Sequence, residues 1–125
     1  MTREKVVVAE GSTFCRVMLT SALEKLDFKV LGTAKDGEDA VAKYRALKPD
    51  IILVDVALGG LDGIEVTRRI VKEEPSAVVI MLIDESADMP ELIVEAVRAG
   101  AKGYLRKPLA ESEIGKRISG ALQRS

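Results

Sequence analysis

Short apolar runs alternate with longer amphipathic stretches along the chain, five times over. Residues 6–9, Val-Val-Val-Ala, form the first run and end at Glu10. A strand is expected there, followed by a helix that Ser12 or Thr13 caps and whose apolar positions Phe14, Val17, Met18, Ala22 and Leu26 recur at helical spacing. Residues 28–31 read as a weaker second strand closed by Gly32. Asp36-Gly37-Glu38 opens a second helix carrying Val41, Tyr44 and Leu47, which Pro49 prevents from continuing. Ile51-Ile52-Leu53-Val54 shows no polar alternation and ends on Asp55. A loop through Gly59-Gly60 and Asp62-Gly63 leads to a third helix, from residue 64 to about 74, before Pro75. Residues 77–83 are again continuously apolar. A polar loop over 84–90 then precedes a helix with Leu92, Ile93, Ala96 and Val97, which Gly100 is placed to end. Residues 103–105 make a short fifth strand. The last helix, 111 to about 123, repeats Ile114, Ile118 and Leu122 on one face, weakened by Gly115 and Gly120.

Strands without alternation, separated by helices, predict a doubly wound α/β fold with a five-stranded parallel sheet covered on both faces. Right-handed crossovers place every strand's C-terminal end on one edge. Ligands sit at that edge in open sheets, near the switch in strand order. Glu10, Asp55, Ile83 and the Arg106-Lys107 segment should therefore converge. No internal repeat, linker or low-complexity segment interrupts the pattern, so residues 1–125 are expected to form one domain.

Composition narrows the chemistry. A 47% hydrophobic content and a net charge of −1 describe an ordinary globular chain. Interspersed acids and bases, with few aromatics, argue against a nucleic-acid surface. There is no histidine, which removes Ser-His-Asp and Cys-His nucleophiles, His-containing zinc sites and a phosphohistidine carrier. The lone Cys15 has no partner for an internal disulfide and is expected to be a small buried hydrophobe. Residues 6–9 are far too short to span a membrane or act as a leader, so a cytoplasmic location is expected.

Asp55 ends a wholly apolar strand, where a carboxylate has no packing role; it is either a turn or cap residue, or a nucleophile or metal ligand. Lys107, beside Pro108, could reach the same edge. It would serve there as a salt-bridge partner or as a donor to a phosphoryl oxygen. Gly11-Ser12-Thr13 between a strand and a helix could also hold a cofactor phosphate, as in a flavin-binding protein. That short match lacks the context a phosphate-binding motif requires, and plain helix capping accounts for it.

Three further groups of residues carry a resemblance. They are Lys48-Pro49-Asp50-Ile51-Ile52-Leu53-Val54-Asp55 with Leu61-Asp62-Gly63-Ile64-Glu65; Ala96-Val97-Arg98-Ala99-Gly100-Ala101-Lys102-Gly103-Tyr104-Leu105; and Lys107-Pro108-Leu109. In this order the chain resembles the response-regulator receiver family from about residue 4 to residue 123. The resemblance implies a flavodoxin-like (βα)5 receiver fold in which Asp55 accepts a phosphoryl group. Lys107 would contact that group, the peptide bond after it would be cis, and Tyr104 would be the aromatic that swings inward on activation. It also implies a sensor histidine kinase or phosphotransfer protein upstream and a protein partner downstream. The partner face would carry Glu91, Glu95, Arg98, Tyr104 and Arg117; the composition, the lack of a membrane-length apolar run and the absence of histidine separately lead to the expectation of no nucleic acid or membrane contact and no turnover of a metabolite.

The sequence departs from the family at the acidic pocket. Where the family has two adjacent acids, the second ligating Mg²⁺, this chain has Glu10-Gly11. The remaining Mg²⁺ ligands implied are Asp55, the carbonyl of Ala57 and, through its longer side chain, Glu10; weak binding is expected. Ile83 replaces the switch hydroxyl, and Ser86 could substitute only if its loop folds back. Gly59 stands where the family has proline. With only Glu10 and Asp55 facing Lys107, the pocket is nearly balanced without metal. Two functions follow: a phospho-receiver working through Asp55, or a receiver-like interaction module that works without phosphorylation.

Overall fold

The computed structural model describes residues 3–86 and 88–124, so the expected loop over 84–90 is described without residue 87, which lies outside the described residues. Five strands, β1 Lys5–Ala9, β2 Lys29–Ala34, β3 Ile51–Asp55, β4 Val79–Asp84 and β5 Gly103–Lys107, alternate with α1 Thr13–Lys25, α2 Gly37–Leu47, α3 Gly63–Glu73, α4 Met89–Ala99 and α5 Glu111–Arg124. All strand pairs are parallel, in the order β2-β1-β3-β4-β5. The chain runs outward from β1 to β2, then returns past β1 to β3. The switch in direction therefore falls between the ends of β1 and β3, where Glu10 and Asp55 lie.

Residues along a strand point alternately to opposite faces, so one apolar run feeds two cores. Val7, Ile52, Val54, Met81 and Ile83 pack beneath Ala40 and Val41 of α2, Ile64, Val66 and Ile70 of α3, and Ala96 and Ala99 of α4. Val6, Val8, Leu53, Ile80, Leu82 and Leu105 pack against Leu19, Ala22 and Leu23 of α1 and Ile114, Ile118 and Ala121 of α5. Burial on both faces is why the three central strands lack polar alternation. Ser12, Asp36 and Asp62 cap α1, α2 and α3 by accepting from the N–H groups of Cys15, Asp39 and Glu65. Gly100 ends α4 in the left-handed region, at φ 109°.

Five expectations are corrected. β2 does not stop at Gly32 but continues to Ala34, because β1 keeps pairing with it: Val7, Val8 and Ala9 face Gly32, Thr33 and Ala34 after a register shift. Pairing overrides the weakness of glycine in a strand. Asp84 belongs to β4, opposite Lys107 of β5, and Pro90 lies in the first turn of α4, where its missing N–H breaks nothing. Two apolar stripes run along α1, and the inward one is Leu19, Ala22 and Leu23; Phe14, Val17 and Met18 are 73%, 63% and 55% exposed. Cys15 on the same helix is half-buried rather than interior, and Val97 of α4 faces outward. Among the described residues no helix is long and apolar enough to cross a membrane.

Candidate functional site

Asp55 occupies the last position of β3, with both carboxylate oxygens engaged. Oδ1 accepts from the N–H of Ala57 at 2.8 Å, closing a tight turn, and Oδ2 accepts from Nζ of Lys107 at 2.6 Å. The same ammonium donates to Oε2 of Glu10 at 2.7 Å. Residues 97 and 52 positions apart in sequence from Lys107 are thus joined by one cation. Glu10 is only 2% exposed and Asp55 7%. The peptide bond between Lys107 and Pro108 is cis, as the resemblance implied.

Glu10 is fixed from four directions. Its N–H donates to the carbonyl of Ala34, and its own carbonyl accepts from Arg16 at 2.8 Å. Its Oε1 accepts from the N–H of Ser12 at 3.1 Å, and Oε2 faces Lys107. Arg16 also donates to the carbonyl of Gly11 and to the hydroxyl of Thr13. Nothing in the spacing marks Arg16 in advance, because its partners are backbone carbonyls. The hydroxyls of the Gly11-Ser12-Thr13 segment serve the helix cap and Arg16.

Burial alone would push both carboxyls up. For Glu10 it does, reinforced by the neighbouring Asp55 carboxylate and only partly offset by Lys107. For Asp55 burial is overcome by its pairing with the neighbouring Glu10 carboxyl and by the hydrogen bonds from Lys107 and the Ala57 N–H, which hold it below the usual carboxylate range. Lys107 would be lowered by burial, yet its hydrogen bonds to Asp55 and Glu10 raise it above the ordinary lysine value. Asp55 is therefore a buried carboxylate held in its ionised form, in contact with the Lys107 ammonium.

The remaining site residues fall in different places. Ile83 is fully buried in the core above α3 and α4, so no hydroxyl stands at that point of the pocket. Ser86 is exposed in the turn entering α4, where its carbonyl accepts from Met89, and does not fold back to replace one. Tyr104 is half-buried, with the guanidinium of Arg117 4.5 Å from its ring centroid. Ala57 meets Asp55 through its N–H.

Mg²⁺ seeks near-octahedral oxygen coordination. Here the two side-chain carboxylates are both bound to Lys107, Gly11 offers none, and among the described residues no group of three or more His, Cys, Asp or Glu could hold a metal. This donor set does not fit a resident Mg²⁺ ion.

A parallel sheet in this order, with an acid pair and a lysine at its switch point, defines a receiver-type α/β domain. The chain belongs to the response regulator receiver domain family, which it matches over residues 6–119. It is 32% identical over 111 residues to the chemotaxis protein CheY of Thermotoga maritima, covering 89% of this chain and 91% of that one. The response regulator domain of Thermotoga maritima CheB superposes with a TM-score of 0.88 at 32% identity, covering 98% of each chain. A CheX–CheY–BeF3–Mg²⁺ complex from Borrelia burgdorferi gives 0.86 at 29% identity, covering 92% of this chain and 86% of that one. The protein is thus a receiver domain of the two-component response-regulator family, and its fold is the flavodoxin-like one.

Proposed function

We propose that the domain receives a phosphoryl group on Asp55 from a sensor histidine kinase or phosphotransfer protein and relays it as altered binding of a downstream protein. The observation that carries this reading is the carboxylate of Asp55 held 2.6 Å from the ammonium of Lys107 at the sheet's switch edge. A carboxylate oxygen attacks phosphorus and the donor's P–N bond breaks. The electron pair leaves with the imidazole nitrogen, which a proton then neutralises, and Asp55 carries an acyl phosphate. An ammonium has three donors, and Glu10 and Asp55 take two. That leaves one for a phosphoryl oxygen, where charge builds as the bond forms. The face carrying Glu91, Glu95, Arg98, Tyr104 and Arg117 would meet the downstream partner.

The second reading, an interaction module that works without phosphorylation, is supported by Ile83, whose buried side chain cannot link a phosphoryl group to Tyr104. Mass spectrometry after incubation with acetyl phosphate separates the two. The first expects a hydroxylamine-labile gain of one phosphoryl group on the native protein and none on Asp55→Asn. No gain with or without Mg²⁺ would sink it and select the second.

A further inference from the structure

We infer that Glu10 and Gly11 together turn this pocket from a divalent-cation site into one that carries its own cation. Glu10 is a positioning residue that holds the Lys107 ammonium against Asp55, so that phosphoryl transfer needs no metal. The inference rests on Asp55 being the acceptor.

Glu10 is bound at its N–H, its carbonyl and both carboxylate oxygens, within a nearly inaccessible site. Swinging Oε2 toward a metal would leave Lys107 with one partner and a buried carboxylate desolvated. A charge that is buried and fully paired resists such a change. Lys107 sits within hydrogen-bond reach of both acids and supplies the positive charge that the carboxylates would otherwise draw from solution.

Gly11 is the second observation. Nothing steric explains a glycine there. Its backbone is not among the positive-φ glycines, and an added Cβ would meet only the carbonyl of Lys35 at 3.6 Å, an ordinary contact. By contrast, a Cβ at Gly37 or Gly63 would overlap backbone atoms of Leu61 or Asp55. A side chain at position 11 is structurally admissible, so what glycine removes there is a ligand. A third carboxylate beside Glu10 and Asp55 would exceed the charge of one ammonium and call for a divalent ion.

The test uses the native protein, Gly11→Asp, Glu10→Ala and the double variant. Mg²⁺ binding is measured by calorimetry and thermal melting, and Asp55 phosphorylation by acetyl phosphate is timed in EDTA and in Mg²⁺. The native melting temperature should move by less than about 1 °C in ~10 mM Mg²⁺, while Gly11→Asp rises by several degrees. The native phosphorylation rate should agree within about twofold in EDTA and Mg²⁺. Glu10→Ala should lose about tenfold of that rate, the scale of one misplaced charge-assisted contact. Gly11→Asp should restore it only when Mg²⁺ is present, a metal-dependent rescue that a merely structural role would not produce. Saturable Mg²⁺ binding by the native protein, EDTA-sensitive phosphorylation, or no gain of binding in Gly11→Asp would each overturn the inference. If no protein is phosphorylated in either condition, the acceptor reading of Asp55 fails, and the Mg²⁺ titrations alone decide whether the pocket excludes the ion.

Discussion

Lys107 is the residue on which the pocket's charge turns. Removing it as Lys107→Met leaves Glu10 and Asp55 facing each other, buried and without a cation. Breaking a buried pair in this way costs roughly 3 kcal/mol, to be read from urea unfolding. The sign of the pH dependence follows from the raised value of Lys107 in the folded state. Its stabilisation is complete below the ordinary lysine value, near about 10.4, and fades as pH climbs through the higher folded value. The stability gap between native protein and Lys107→Met should therefore stay level from about pH 7 to 10 and narrow above that. A gap that widened in alkali would contradict the assignment. Asp55 was legible in the sequence because it ends an apolar run with a group that has no packing role, and Lys107 because it lies just beyond the short fifth strand, beside Pro108. That Glu10 faces Lys107 was legible as well; the bonds that fix Glu10 were not, since they come from Ser12 and Ala34 backbone groups and from Arg16, none of which forms a motif.

Elements were easier to read than their boundaries and faces. Unbroken apolar runs identify β1, β3 and β4 because burial on both sides forbids alternation. β2 was undercounted because pairing with β1, not side-chain pattern, carries it through Gly32 to Ala34. On α1 the expected apolar positions Phe14, Val17, Met18, Ala22 and Leu26 divide, and only Ala22 and Leu26 join the core. Only contact with the sheet and α5 selects Leu19, Ala22 and Leu23 over Phe14, Val17 and Met18. The joint between β3 and α3 shows how an element is fixed by space rather than by pattern. The N–H of Gly63 donates to the carbonyl of Val56, and its missing side chain lets the first turn of α3 lie on the carbonyl of Asp55. Gly63→Ala forces those backbones apart and should cost about 2–3 kcal/mol in chemical denaturation. Gly11→Ala, with room for its methyl group, should be neutral or stabilise by up to about 1 kcal/mol. Equal losses at the two positions would show that the close approach at Gly63 is not what demands glycine.

Across the whole molecule, the ion cluster is a staple as well as a site. Lys107 ends edge strand β5, whose only backbone partner in the sheet is β4, yet its ammonium reaches β3 through Asp55 and the end of β1 through Glu10. The other edge, β2, is joined to β1 by backbone pairing that runs on into the bond from the Glu10 N–H to the carbonyl of Ala34, and among the described residues none of its side chains joins the ion cluster. Native-state hydrogen exchange should rank the strands accordingly. Amides of β1, β3 and β4, buried on both faces, should open only with global unfolding, and those of the half-exposed β2 and β5 through smaller openings. In Lys107→Met the central amides should exchange about a hundredfold faster, tracking the lost global stability. Amides of β5 should also accelerate, because its smaller opening no longer has to break the two ion pairs. Amides of β2 should keep their native rates, since their opening breaks neither ion pair. Equal acceleration of β2 and β5 would mean that Lys107 steadies the fold as a whole and does not fasten one edge of the sheet to its centre.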